Sequence, residues 1–214
     1  MAKAIVKNAK NAKANGEKPD AIILAAGMMG RKTFYPKALV EFEGKSIIEH
    51  QINWLSSHVN KIVIACHKDE YEPIHNYLGN MKNVEYSLEP VLLGTSGAVI
   101  KALEKTKSSK IVICNVDDVT DIDLKALIGF GTDTIAVANP RLNYGIIKID
   151  GFEVEEFREK PIMPDLWVSC GVYFLNRKTM QEFPSKGSLE REVFPGLNLK
   201  AFKHFGLFKT FGPC

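Results

Sequence analysis

A loop rich in small residues and followed by two cations is the first part of the sequence that could do chemistry. The apolar run 21–26 leads into this loop, which contains Gly27 and Gly30 and continues to Arg31 and Lys37. Small residues let backbone N–H groups approach a polyphosphate, and Arg and Lys can neutralise its charge. The loop matches neither GxxxxGK[ST] nor GxGxxG, so by itself it also fits a plain tight turn.

Four aspartates form the second group, and they follow the apolar run 110–114. They are Asp117, Asp118, Asp121 and Asp123. Asp favours helix caps and first turns, so each could be an ordinary loop or helix-start residue. We interpret Asp118 and Asp123 in this way.

Parallel strands flanked by helices are the elements that must position both groups. From Asp20 onward, short apolar runs alternate with amphipathic stretches, which is typical of a buried parallel sheet. Ser46 and Glu49 have capping-box spacing. The predicted strands are near 21–26, 61–66, 84–88 and 110–114, and the predicted helices near 46–57, 70–78 and 95–104. Because ligands of such sheets bind outside the carboxyl ends of the strands, we expect Gly27 and Asp117 at the same end.

The second half of the chain is predicted to add mixed sheet to the edge of the first. Its strands are expected near 134–138, 145–149, 154–157 and 168–175. The result is an α/β fold, Rossmann-like and doubly wound, with a mostly parallel central sheet. We expect one domain over residues 20–214. Residues 1–19 are rich in Lys, Ala and Asn and are expected to be a disordered basic arm.

The charge and hydrophobicity of the chain argue against some classes of partner. The formal charge of +3 on 214 residues is too small to indicate a nucleic-acid partner. No two of the four cysteines have CxxC spacing, and this favours reduced thiols in a cytoplasmic protein. No apolar stretch reaches the roughly 18 residues of a membrane helix, so we expect no membrane partner. A homo-oligomer is compatible with the sequence.

Eight short motifs follow one another between residue 21 and about residue 195. They read LAAG at 24–27, PKALV at 36–40, GKSIIEH at 44–50, LGTSGA at 93–98, NVDDVTDIDL at 115–124, YGIIK at 144–148, FREKP at 157–161 and CGVY at 170–173. In this series the chain resembles the sugar-phosphate nucleotidyltransferases, which include glucose-1-phosphate thymidylyltransferases and mannose-1-phosphate guanylyltransferases. The resemblance implies the nucleotide-diphospho-sugar transferase fold. It also implies transfer of a nucleotidyl group from a nucleoside triphosphate to a sugar 1-phosphate.

The resemblance implies a role for each matching residue. The catalytic residues would be Arg31, Lys37 and Asp117, and Asp117 would also bind the Mg²⁺ cofactor, whose preferred ligands are carboxylate oxygens. Nucleotide-binding residues would be Leu24, Ala25, Ala26, Gly27, Gly30, Glu89, Gly94 and Thr95. Sugar-phosphate-binding residues would be Tyr144, Gly145, Glu159, Lys160 and Gly171. Glu159 and Lys160 also fit a solvated charge pair.

Three positions depart from the family pattern. Met29 stands at a glycine position of the first loop, and Val116 replaces the glycine of the NGD motif. Thr210 stands where the family has a second metal-binding aspartate. These changes favour, as an alternative, a non-catalytic module that binds a nucleotide sugar and regulates a partner. A glycosyltransferase is a third hypothesis, but it would not need Pro36 and Lys37 beside the first loop.

Overall fold

A seven-stranded β-sheet forms the centre of the structure, a computed structural model that describes residues 17–26 and 35–211. The strands are β1 (Asp20–Leu24), β2 (Glu41–Phe42), β3 (Lys45–Ser46), β4 (Ile62–His67), β5 (Val84–Glu89), β6 (Lys110–Asn115), β7 (Asp118–Thr120), β8 (Thr134–Ala138), β9 (Ile146–Asp150), β10 (Glu153–Arg158), β11 (Val168–Asn176), β12 (Lys200–His204) and β13 (Phe208–Thr210). The α-helices are α1 (Ile47–Ser56), α2 (Lys68–Leu78), α3 (Gly94–Leu103), α4 (Leu124–Phe130) and α5 (Arg177–Met180).

The order of strands in the central sheet is β12-β8-β11-β6-β1-β4-β5. β11 is antiparallel to both of its neighbours, and the other six strands are parallel to one another. The prediction of a mostly parallel α/β sheet is therefore confirmed.

Helices cover both faces of the sheet, which explains the continuous apolar runs of the inner strands. Every residue of β1 is buried. Successive β1 residues belong to two separate cores, with Ala21 and Ile23 in one and Ile22 and Leu24 in the other. The predicted start of α1 is also confirmed, because the Ser46 hydroxyl accepts the Glu49 N–H at 3.3 Å.

The strand order reverses between β1 and β6, and this reversal determines where a ligand site can form. The register places Leu24 opposite Asn115, and the Val116 N–H donates to the Leu24 carbonyl at 3.0 Å. Ala26 and Asp117 therefore lie beyond the same edge of the sheet. Gly27, which was expected here, lies outside the described residues.

The second half of the chain differs from the prediction in two respects: β12, which was not predicted, forms one edge of the central sheet, and the ribbon strands lie outside it. β8 and β11 extend the sheet as expected, but β9 and β10 form a separate two-stranded ribbon. Their residues are exposed, apart from the half-buried Ile146. Apart from Ile146, the ribbon has apolar side chains on only one face, so it is not suited to a position in a sheet that is covered on both sides.

Further short strands were not predicted. β2 pairs with β3, and β7 pairs with β13. Strands of two or three residues are too short to show the alternation by which a strand is identified in a sequence. The expected basic arm remains a prediction, because residues 1–16 lie outside the described residues. No helix in the described part of the chain is long and apolar enough to cross a membrane.

Candidate active site

An ion pair between two predicted catalytic residues marks the site. Lys37 begins a single 3-10 turn after Pro36, and Asp117 follows β6. Lys37 Nζ lies 3.1 Å from Asp117 Oδ2, although the two residues are 80 positions apart in the chain. Both side chains are mostly buried, so water screens this pair less than it screens a surface pair.

Asp118 is the residue whose importance was missed in the sequence. It begins β7 and is buried, and its Oδ2 accepts a hydrogen bond from Asn115 Nδ2 at 3.1 Å. Burial, followed by the charge of Asp117, raises the pKa of Asp118 to about 6. The interpretation of Asp118 as a loop or cap residue is wrong, because it begins strand β7 and its side chain is buried. The same interpretation of Asp123 is confirmed, since its Oδ1 accepts the Ala126 N–H at the start of α4.

Gln51 supports the backbone that carries these aspartates. It lies on the buried face of α1, and its Nε2 donates to the carbonyls of Asn115 at 3.0 Å and Asp118 at 2.6 Å. Gln51 was not predicted to matter. The available signal was a polar residue at helical spacing from Ile48 and Leu55, within an otherwise apolar face.

Gly171 is placed against the same acidic group. Its φ is +65°, and a Cβ at this position would collide with Asp118 Oδ2 and Asn115 Nδ2. The main sheet is irregular here, since the pairing of β11 with β8 shifts between Ser169 and Tyr173. A glycine is therefore required for close approach of the backbone to the Asp118 carboxyl group.

Thr210 lies directly opposite Asp118 in the β7–β13 pair. A hydrogen bond between the two side chains favours the ionised form of Asp118 and lowers its pKa, partly opposing the effect of burial. The next residue, Phe211, donates its N–H to the Asp117 carbonyl at 2.7 Å. Thr210, which was expected at the position of the family's second metal-binding aspartate, therefore borders Asp117 and Asp118 with a hydroxyl group.

Glu89, Gly94 and Thr95 lie together at the end of β5 and the start of α3. Glu89 is buried, and its Oε2 accepts the Leu93 N–H at 2.9 Å. Burial raises the pKa of Glu89, and the Leu93 hydrogen bond opposes that shift. A Cβ at Gly94 would collide with the carbonyl of Gly187. In this arrangement Glu89 holds the turn before α3, and its contact with a nucleotide base remains a prediction.

Thr95 is engaged by the segment that follows α5. Its Oγ1 donates to Glu190 Oε2 at 3.0 Å and accepts the Leu189 N–H at 2.8 Å. These contacts hold the first turn of α3 against that segment. These hydrogen bonds do not test whether Thr95 contacts a nucleotide, so that contact remains a prediction.

The base of the β9–β10 ribbon carries four of the predicted sugar-phosphate residues. Tyr144 and Gly145 precede β9, and Glu159 and Lys160 follow β10. A Cβ at Gly145 would lie 2.9 Å from Glu159 Oε2, so the two ends of the ribbon are in contact. The Glu159 and Lys160 side chains are exposed and 3.9 Å apart. The structure groups these four residues but places Gly171 beside Asp118.

The first loop is only partly described. Leu24 and Ala25 are buried at the end of β1, and Ala26 is half-buried after them. Gly27, Met29, Gly30 and Arg31 lie outside the described residues, so their predicted roles remain predictions.

The oxygen atoms around Asp117 fit a hard cation. Asn115 Oδ1 is buried and has no hydrogen-bond partner among the described residues, and Nδ2 of the same side chain donates to Asp118. Within residues 17–26 and 35–211, no group of three or more His, Cys, Asp or Glu side chains could hold a metal ion. Mg²⁺ commonly uses one or two protein carboxylates and completes its shell with phosphate oxygens and water. The site fits an ion of that kind.

The chain is similar to several known proteins. Residues 20–193 match the family described as Nucleotidyl transferase. The chain is 29% identical to the mannose-1-phosphate guanylyltransferase catalytic subunit beta of Dictyostelium discoideum, over 76% of this chain and 50% of that protein. It is 28% identical to the D-glycero-alpha-D-manno-heptose 1-phosphate guanylyltransferase of Aneurinibacillus thermoaerophilus, over 74% of this chain and 75% of that protein.

A solved structure is also similar. The crystal structure of HddC from Yersinia pseudotuberculosis complexed with GMP-PN superimposes with a TM-score of 0.68 and 26% identity. The match covers 90% of this chain and 93% of the HddC chain. The chain spans half the length of the Dictyostelium protein and most of the length of the bacterial ones.

Proposed function

Because the chain belongs to the nucleotidyl transferase family, we propose that it transfers a nucleotidyl group from a nucleoside triphosphate to a sugar 1-phosphate. The observation that carries the proposal is the ion pair of Lys37 and Asp117 at the point where the strand order reverses. This point is where open α/β sheets bind ligands. A cation and a carboxylate held there supply the charges that phosphoryl chemistry needs.

The reaction joins two phosphates without a covalent enzyme intermediate. An oxygen of the sugar phosphate attacks the α-phosphorus of the triphosphate, the bond from that phosphorus to the bridging oxygen breaks, and pyrophosphate leaves. Lys37 neutralises charge on the phosphate oxygens, and Asp117 orients the Lys37 ammonium group through their contact. Catalysis therefore consists mainly of positioning and charge neutralisation.

Mg²⁺ is the proposed cofactor. Asp117 would hold it, and Asn115 Oδ1, which has no partner among the described residues, is a further oxygen on the side chain that contacts Asp118. The bound ion would neutralise charge on the reacting phosphoryl group. Gln51 would keep the backbone of this segment in place through its two hydrogen bonds.

Guanosine triphosphate is the proposed nucleotide donor. Two of the relatives are named guanylyltransferases, and the similar solved structure is that of HddC complexed with GMP-PN. We also propose a cytoplasmic location, because Cys66, Cys114 and Cys170 are buried free thiols.

The test is pyrophosphate release. The protein is incubated with Mg²⁺, each of GTP, dTTP, UTP, CTP and ATP, and a panel of hexose and heptose 1-phosphates. We expect release with GTP and at least one sugar 1-phosphate, and loss of release in Asp117→Asn. Binding of a guanosine nucleotide sugar by calorimetry, without pyrophosphate release from any pair, would instead support the non-catalytic module.

A further inference from the structure

The β9–β10 ribbon presents an apolar face that no other part of the structure covers. Directly opposite residues in the two strands share a face, and the pairs Ile149–Val154 and Ile147–Phe157 are both apolar. The exposed fractions of these four side chains lie between 49% and 63%. Phe152, in the turn between the strands, is fully exposed.

The other face of the ribbon is charged, apart from the half-buried Ile146 opposite Arg158. Lys148 and Glu156 lie opposite each other on this face, and Arg158 pairs with Glu156 at 3.2 Å. Lys148 also pairs with Glu155, the bulged residue of β10. This face is suited to water, so only the apolar face needs a covering surface.

Exposed apolar side chains are concentrated on this ribbon. Ile147, Ile149, Val154 and Phe157 share one face and Phe152 lies in the turn beside them, with exposed fractions of 49% to 103%. Surface apolar residues of a monomer are normally scattered singly, and a contiguous group of them marks an interaction site. An isolated two-stranded ribbon is at best marginally stable in water, which also favours a covering surface.

No single undescribed segment of the given sequence has as many large apolar residues as the ribbon. Residues 1–16 have three large apolar side chains, residues 27–34 have another three, and residues 212–214 have none larger than Pro and Cys. A second copy of the ribbon offers five, in the same arrangement. The apolar face also carries no charge at its four paired positions, so two copies can approach without opposing like charges.

We propose that the chain forms a homodimer in which the apolar faces of two β9–β10 ribbons pack on each other about a two-fold axis. An interface of this symmetry uses the same patch on both subunits, and the patch must therefore be complementary to itself. A flat, uncharged, apolar face meets that requirement. Two stacked ribbons would lie about 10 Å apart, the usual spacing of packed sheets.

The proposal is tested by sedimentation velocity on the full chain without substrates, between about 1 and 100 µM. The wild-type protein should sediment as a species of twice 23.9 kDa. The triple variant Ile147→Thr/Ile149→Thr/Val154→Thr should sediment as a monomer. Thr favours strands, and a Thr–Thr pair across positions 149 and 154 supports the ribbon itself.

The matched control changes three residues on the charged face of the same ribbon. Lys148→Thr/Asp150→Thr/Glu156→Thr should remain a dimer. Thermal unfolding followed by circular dichroism should show that both triple variants are folded. A monomeric wild-type protein over this range, a dimeric apolar-face variant, or dissociation of both variants would each overturn the proposal. The measurement needs no catalytic activity, so it stands or fails separately from the proposed reaction.

Discussion

Replacing Gly171 by Ala tests how closely the backbone of β11 supports the acidic site. The φ of Gly171 is +65°, and an added Cβ would collide with Asp118 Oδ2 and Asn115 Nδ2. A left-handed conformation costs a residue with a side chain about 1 to 2 kcal/mol. Overpacking a buried site typically costs about 1 to 3 kcal/mol. We therefore expect Gly171→Ala to lower the free energy of unfolding by about 2 to 5 kcal/mol.

Gly44→Ala separates the two contributions. Gly44 has a φ of +79° but no atom within 4 Å of its virtual Cβ, so only the conformational cost of about 1 to 2 kcal/mol applies. Urea unfolding of both variants measures the difference. Adding Asp118→Ala to Gly171→Ala should recover part of the loss, because the colliding carboxylate is removed.

The two possible results of this comparison are distinct. Equal losses in Gly44→Ala and Gly171→Ala, or strictly additive effects of Gly171→Ala and Asp118→Ala, would refute the close approach inferred at Gly171. Pyrophosphate release adds a functional measurement. We expect kcat to fall in Gly171→Ala and to be unchanged in Gly44→Ala, because the displaced side chains adjoin Asp117.

Three further predictions concern the charges of the site. If Lys37 contacts developing charge, Lys37→Ala should remove about 2 to 4 kcal/mol of transition-state stabilisation and lower kcat/KM accordingly. Lys45→Ala, at an exposed lysine, should change it little, and equal effects would contradict the assignment. Burial raises the pKa of Asp118 in the folded protein to about 6, above its ordinary value of about 3.8, so its contribution to stability is complete below pH 3.8 and is lost as the pH rises through 6. In EDTA, the free energy of unfolding of Asp118→Asn should therefore exceed that of the wild-type protein by up to about 3 kcal/mol at pH 8 and by nothing near pH 3.5. The same gain at both pH values would exclude ionisation of Asp118 as its cause. Thr210→Asp should bind Mg²⁺ more tightly and show a Tm that rises with Mg²⁺, and a Tm indifferent to Mg²⁺ would exclude a ligand position there.

Much of the sheet was predictable because its signals are local. The apolar runs of β1, β4 and β6 are long enough to show burial on both faces, and the Ser46 cap lies next to the helix that it starts. The eight motifs were each readable in a few consecutive residues. Their order along the chain also indicated that Lys37 and Asp117 belong to one site.

The remainder depended on contacts between residues far apart in the chain. Asp118 and Asp123 are the same residue type in one short segment, yet one is buried beside Gly171 and the other caps α4. In the sequence Gln51 is an ordinary polar residue of a helix. Its role is visible only in the fold, where its side chain donates hydrogen bonds to the carbonyls of Asn115 and Asp118. The sequence by itself determined which strands are buried and which residue types meet at their carboxyl ends. Only the tertiary structure decided which carboxyl group is desolvated and which ribbon is left uncovered, because desolvation depends on every atom that packs around a group and not on its neighbours in the chain.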